Sequence, residues 1–250
     1  MKDLKTYISS NHPAFFSLLR DARQTYQEIA ERKNAAKNWV VRLWLKYQPK
    51  RVFLNIYSKN AWGGAESRSG SGSSLEQTKT IREQLPTIIR NLGVKSFLDI
   101  PCGDFYWMKQ VRLELEEYIG ADIIAQLIEH NRALYTGENR RFTVLDIMKD
   151  QLPPVDLIFS RDCLVHFSFR DIRRTIRNIK RSHSKYLLTT TFTARDQNTD
   201  ITTGEWRPLN LQLPPFNFPE PIVLINEKCT EVDGRYPDKS LALWRIADVP

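Results

Sequence analysis

The chain has 250 residues, 41% hydrophobic and 26% charged, with a net charge of +8. That length and balance suit one large α/β domain plus a small appendage, and no apolar run approaches the roughly 20 residues of a membrane-spanning helix. Met1-Lys2-Asp3-Leu4-Lys5 lacks the apolar core of a secretory signal, and the three scattered cysteines, Cys102, Cys163 and Cys229, make neither a metal-ligand pattern nor a disulfide framework, so the expected location is the cytoplasm.

The positive charge is concentrated at one end. Residues 1–60 carry 12 Lys/Arg against 4 Asp/Glu, whereas the other 190 residues carry 25 of each. Residues 13–33 read as a helix, with Pro13 near its start and Phe15, Leu18, Leu19, Tyr26 and Ile29 at apolar positions. Residues 35–47 read as a second, with Trp39, Val40, Leu43, Trp44 and Tyr47 on one face and Lys37, Arg42 and Lys46 around the rest. Such a helix packs on its own domain or lies on an anionic membrane. Residues 1–57 are thus expected to form a basic helical extension. Its candidate partners are an anionic membrane surface, which would make the protein peripheral, a phosphate-bearing substrate and, as the weaker alternative, nucleic acid.

Residues 58–74 are rich in Gly and Ser, but they include Trp62, Glu66 and Arg68. A bare linker needs none of these, so the segment reads either as a linker or as an ordered lid over a ligand. Ser74-x-x-Gln77 resembles a capping box opening a helix to about Asn91. Strands and helices then alternate. Strands are expected near 96–100, 118–122, 142–146, 155–160 and 185–192, and helices near 105–115, 123–135 and 169–181. Alternation of this kind implies a parallel sheet covered on both faces. At the end, Pro221–Ile225 and Leu241–Ile246 are strands joined through Asp233-Gly234 with no evident helix between, which implies antiparallel pairing. Residues 195–220, rich in Pro, Asn and Thr, form a long insertion before that hairpin. It suits an aromatic wall at Trp206 for a planar or sugar acceptor, or a rigid cover for the sheet edge.

Ser96-Phe97-Leu98-Asp99-Ile100-Pro101-Cys102-Gly103-Asp104 takes a strand into an acid and then a tight turn, and Asp122 ends the next strand 23 residues after Asp99. Two acids at the carboxyl ends of adjacent parallel strands suit a nucleoside: backbone N–H groups approach the ligand and the second acid accepts from ribose hydroxyls.

These residues, with Gly120-Ala121-Asp122, Asp146-Ile147, Asp156–Asp162 and the terminal hairpin, resemble the class I S-adenosylmethionine-dependent methyltransferases over about residues 75–248. The resemblance implies a Rossmann-like, doubly wound, mostly parallel seven-stranded sheet ending in an antiparallel hairpin, with a methyltransferase domain over 75–250. It also implies S-adenosylmethionine as cofactor. Asp99 would lie near its methionine end, with Pro101 and Gly103 in the adjoining turn. Asp122 and Ile123 would meet the ribose, and Asp146 and Ile147 would flank the adenine. The family's glycine positions read Pro101, Gly103 and Phe105 here, a departure that predicts either looser helix–strand packing or an aromatic wall at Phe105.

Methyl transfer to a hydroxyl requires an aligned acceptor and removal of a proton. Arg161-Asp162-Cys163-Leu164-Val165-His166 leaves the fourth strand where ligands of open sheets collect. His166 is the candidate base and Asp162 its orienter or a ligand for the acceptor hydroxyl. Arg161, Trp62, Arg68 and Trp206 are candidate acceptor contacts. Asp146, Asp162 and His166 offer metal-type ligands, but their spacing establishes no site, and no metal is expected. Arg170, Arg174, Arg177 and Arg181 form one basic helix face without interleaved aromatics, which suits solvent better than nucleic acid. The expected activity is O-methylation of a small molecule or a sugar or glycan hydroxyl. The alternatives are a nucleic-acid methyltransferase and a non-catalytic cofactor-binding or scaffold protein.

Overall fold

The computed structural model describes residues 48–250. The expected helices at 13–33 and 35–47, and with them most of the basic extension, lie outside the described residues. Among the described residues no helix is long and apolar enough to cross a membrane.

Helix α1 (Pro49–Ser58) leads through the Gly/Ser-rich segment into α2 (Lys79–Asn91). There follow β1 (Ser96–Asp99), β2 (Glu117–Asp122), α3 (Ala125–Tyr135), β3 (Arg140–Val144), β4 (Leu157–Ser160), α4 (Phe169–Arg181), β5 (Tyr186–Phe192), β6 (Val223–Asn226) and β7 (Lys239–Arg245). The seven strands form one sheet in the order β3-β2-β1-β4-β5-β7-β6. β1 to β5 pair in parallel, and β7 is inserted antiparallel between β5 and β6.

Both faces of the sheet are covered, which is why its strands read as continuous apolar runs. On one face Leu98, Ile119 and Ile158 pack with Ile172, Ile176 and Ile179 of α4; on the other, Phe97, Leu157 and Phe159 pack with Ile81, Leu85 and Ile89 of α2 and Ile128 of α3. Ser168 caps α4 by accepting the Asp171 N–H, and the fully buried Asp171 pairs with Arg170 and Arg174. The Ile stripe of α4 is buried while Arg173, Arg174, Arg177, Lys180 and Arg181 face solvent.

The insertion covers a sheet face rather than an edge, because β5 is an interior strand. Phe192 donates its N–H to the Leu209 carbonyl at 2.8 Å, the Trp244 indole donates to the Pro219 carbonyl at 2.8 Å, and Leu209, Leu211, Phe216 and Phe218 are buried.

Four local expectations change. No helix forms over 105–115; a single turn, Met108–Gln110, stands there. Phe105 has φ 59°, a left-handed conformation that cannot continue a helix. Its ring enters the core against Tyr118, Tyr135 and Phe142 at 5.5, 5.2 and 5.2 Å, so it is an aromatic wall of the core. β3 runs Arg140–Val144 rather than 142–146, and Asp146 therefore sits in the turn beyond the strand. Ser74 does accept the Gln77 N–H, at 3.3 Å, but α2 starts at Lys79 and the Gln77 side chain instead reaches Thr230. Residues 49–57, grouped by sequence with the extension, pack on the body: Phe53 meets Phe167 at 5.8 Å, and a Cβ on Gly204 would lie 2.2 Å from Val52 Cγ1.

Phe105→Ala removes a buried ring without changing the backbone φ, and the expected loss is about 3–5 kcal/mol of stability. Urea unfolding should show a lower midpoint at an unchanged slope; an unchanged midpoint would mean that the ring is not part of the core.

Candidate active site

A cavity of about 480 Å³ opens at the carboxyl ends of β1, β2 and β4, where the connections leave the sheet in opposite directions. All thirteen residues singled out from the sequence line it: Asp99, Pro101, Gly103, Asp122, Ile123, Asp146, Ile147, Arg161, Asp162, His166, Trp62, Arg68 and Trp206.

The turn after β1 forms one half. Gly103 has φ 54° and donates its N–H to Asp122 Oδ2 at 3.3 Å. A Cβ there would meet Ser69 Oγ at 2.2 Å, so the backbone angle and the packing both favour glycine. Asn131 on α3 holds the turn from behind, donating to the Gly103 carbonyl at 2.8 Å. The other Asp122 oxygen accepts the Ile124 N–H at 3.0 Å. Asp99 accepts the Tyr118 hydroxyl. Asp146 accepts the Met148 N–H at 3.0 Å and lies 3.6 Å from the exposed Lys149 ammonium.

These three carboxyls are held above the usual range mainly by burial. Asp99 is pushed up to about 8 against the opposing Tyr118 hydrogen bond, with the nearby Asp122 charge adding. Asp122 is pushed up to about 6 against the N–H groups of Ile124 and Gly103. Asp146 is also raised. Raised carboxyls favour the fold while protonated: that contribution is complete below the ordinary carboxylate range. It is lost as pH rises through about 6 for Asp122 and about 8 for Asp99.

The other half rests on a buried ion network. Lys239, at the start of β7, lies 2.8 Å from Asp162, 3.5 Å from Glu231 and 3.6 Å from Glu227. Arg161 donates to both oxygens of Glu227, at 2.7 and 3.3 Å, and contacts Asp162 at 3.3 Å. Its fork is therefore filled by Glu227, leaving it unsuited to the bidentate acceptor role that the sequence indicated. Burial alone would raise Asp162, but Lys239 and Arg161 outweigh it and hold the carboxyl well below its usual range. Asp162 is thus a fixed anion and a poor base.

His166 ends the turn Leu164–His166. Its Nδ1 lies 2.9 Å from the Glu205 carbonyl, which only accepts; Nδ1 therefore carries the proton and Nε2 the lone pair. Burial lowers its pKa below 6.5, with the Glu205 carbonyl and Asp162 opposing. The ring packs on Trp62 at 5.4 Å. Trp206, 40% exposed, stands edge-on to Tyr236 at 4.9 Å and to Phe192 at 6.0 Å.

Residues 62–73 form a strap whose Trp62 and residues 68–73 line the cavity. Asp104 clasps it, accepting from Ser67 Oγ at 2.9 Å and the Arg68 N–H at 2.8 Å. Ser71 Oγ donates to Glu231 at 2.6 Å, and a Cβ on Gly72 would lie 3.0 Å from Glu231 Oε2 and 3.4 Å from Asp162 Oδ2.

Sequence reading missed Asp104, Asn131, Glu227, Glu231 and Lys239. Lys239 carried one signal: starting β7 two residues earlier than Leu241 puts a lysine on a strand buried on both sides, where a charge requires a partner. Among the described residues no three His, Cys, Asp or Glu side chains are arranged to hold a metal ion, and Asp146, Asp162 and His166 form no such group.

No family model and no curated protein matches the sequence. Solved structures do. Human N-acetylserotonin methyltransferase in complex with S-adenosylmethionine aligns at 12% identity over 78% of this chain and 58% of that one, with a TM-score of 0.52. The YcgJ protein of Bacillus subtilis aligns at 23% identity over 43% of this chain and 50% of its own, with a TM-score of 0.37. CalS10, an amino pentose methyltransferase from Micromonospora echinaspora, aligns at 14% over 44% and 48%, with a TM-score of 0.39. The chain therefore spans between about half and three fifths of the length of these three proteins. The sheet order, the inserted antiparallel strand and the first of these alignments together show that the chain has the class I S-adenosylmethionine-dependent methyltransferase fold.

Proposed function

We propose that the protein is an S-adenosylmethionine-dependent methyltransferase acting on a hydroxyl of a small molecule or sugar. The observation that carries this reading is a neutral imidazole, His166, whose Nε2 carries the lone pair that can accept a proton, in the same cavity as the buried carboxyl groups of Asp99 and Asp122.

The residues present fit the cofactor. No cation pairs with Asp99 or Asp122 among the described residues, and both carboxyls are held high by burial. Hydroxyl donors and a positive charge supplied by a ligand would relieve exactly that deficit, as ribose hydroxyls and a sulfonium do. When bound, S-adenosylmethionine would supply the methyl carbon. Asp122 would hold the ribose, Asp146 would accept from the adenine amino group, and Asp99 would face the cationic end. His166 would take the acceptor's proton at Nε2, with the Glu205 carbonyl retaining Nδ1–H and Asp162 stabilising the imidazolium. Lys239 and Arg161 hold Asp162 in place, and Trp62 shields the imidazole from water. Trp206 offers a ring against which the apolar face of a sugar can pack.

Asp122→Ala should weaken cofactor binding by about 1.5–3 kcal/mol, the range for hydrogen bonds to a charged group. In the wild type, affinity should fall as pH drops through about 6, where the ligand-free carboxyl takes up its proton, and this slope should vanish in Asp122→Asn. Calorimetry with equal affinities in all three proteins would remove Asp122 from the site.

Labelled cofactor with fractionated cell extract should place label in the small-molecule or glycan fraction. Label in nucleic acid would support the alternative enzyme, and no label a binding protein. With the labelled fraction as acceptor, His166→Ala should lose about 10²–10⁴-fold in turnover while keeping cofactor affinity. The wild-type rate should fall as pH drops through a value below 6.5, and the variant should lack that limb. A variant with the wild-type rate and profile would exclude His166 as base.

The strap is tied to the body largely through hydrogen bonds to Asp104 and Glu231, connections that open at lower free energy than an apolar core. Hydrogen exchange over residues 62–73 should slow when S-adenosylhomocysteine is added. Equal exchange with and without it would leave the segment a fixed wall rather than a lid.

A further inference from the structure

We propose that Arg68 is an anion-binding group at the rim of the cavity, positioned for a carboxylate or phosphate on a molecule held inside. The inference builds on the methyltransferase reading of the cavity.

Among the described residues three cationic side chains line the cavity: Arg68, Arg161 and Lys239. Two are neutralised from within, Arg161 by Glu227 and Asp162, and Lys239 by Asp162, Glu227 and Glu231. Arg68 differs. Among the described residues no carboxylate lies within ion-pair distance of its guanidinium, whose Cζ instead lies over the Tyr57 ring, 5.4 Å from its centroid. A cation–π contact engages the charge without consuming the N–H donors of a guanidinium, which can still meet a planar or tetrahedral oxyanion.

The side chain is also aimed. Its backbone N–H is fixed by Asp104 Oδ2 at 2.8 Å, and Ser67 beside it is bound to the other oxygen of the same carboxylate at 2.9 Å. The origin of the side chain is thereby set relative to the turn after β1, and Tyr57 of α1 supports its end. The charge around it narrows the choice of place. Asp122, and the carboxylate of Asp146 facing Lys149, leave the interior acid-lined, with Asp99 adding charge only above about pH 8, so an anionic group on a bound molecule is best accommodated at the rim beside Arg68. Two sources have this chemistry: the carboxylate at the amino-acid end of the cofactor, and an anionic group on the acceptor.

Calorimetry on the full chain, wild type, Arg68→Met and Arg68→Lys, distinguishes them. The probes are S-adenosylhomocysteine, 5′-methylthioadenosine (which lacks the amino-acid end), and inorganic phosphate added with and without saturating S-adenosylhomocysteine. If the cofactor carboxylate is the partner, Arg68→Met weakens S-adenosylhomocysteine by about 10–100-fold and leaves 5′-methylthioadenosine unchanged, with Arg68→Lys in between. If the partner is on the acceptor, S-adenosylhomocysteine binds all three proteins equally, and phosphate binds the wild-type complex but not the Arg68→Met complex. Arg68→Met matching wild type for every probe overturns the proposal and makes Arg68 a solvated surface residue. Failure of the wild type to bind either nucleoside counts against the methyltransferase reading. In that case phosphate binding to the chain alone decides for Arg68: lost in Arg68→Met it stands, equal or absent in both it falls.

Discussion

β1 pairs in parallel with β2 on one side and with β4 on the other, and the site depends on that central position. The connections from β1 and β4 leave in opposite directions, so a crevice opens between the carboxyl ends of the strands. The acids of the chain fall there because each strand ends there: Asp99 closes β1, Asp122 closes β2, and Arg161 and Asp162 follow β4. The sheet supplies low-dielectric walls, and those walls raise the carboxyls. A fold that buries three acids without cations beside two of them has placed free energy in a site that donors or a positive charge can release.

Across the cavity the opposite arrangement holds. Two cations and three carboxylates from β4, β7 and the segment after β6 neutralise one another in a buried network. Such a network adds little net stability over apolar packing, yet removing one member leaves an unpaired charge and is costly. Its effect here is geometric: it ties the antiparallel end of the sheet to the loop that presents Asp162 and His166. Gly72 and Ser71 bring the strap onto the same network, and Asp104 brings it onto the turn after β1. One short segment thus touches both halves of the cavity.

The departures from the glycine-rich turn acquire a physical account in this setting. Gly103 keeps glycine because its φ is positive and the strap passes too close for a side chain. Phe105 keeps a positive φ without being glycine, and burial of its ring among three aromatics offsets the backbone cost. The price is the helix expected over 105–115, in whose place the strap covers the turn.

Strand order, the helices at 123–135 and 169–181, the parallel sheet, the antiparallel insertion and the acids at strand ends were legible in the sequence, because both-face burial, period and spacing are local properties of the chain; the helix expected over 105–115 was not there to be read. So was the glycine at 103. The partners of Arg161 were not: Glu227 lies 66 residues away, and an arginine beside an aspartate reads the same whether its fork is open or filled. The tautomer of His166 depends on a carbonyl 39 residues distant, and the clasp of Asp104 on a serine 37 residues before it. Composition along the chain determined which groups reach the carboxyl end of the sheet. Only the tertiary structure decided which charges cancel there and which remain available to a ligand, because pairing depends on distances between segments that sequence spacing does not encode.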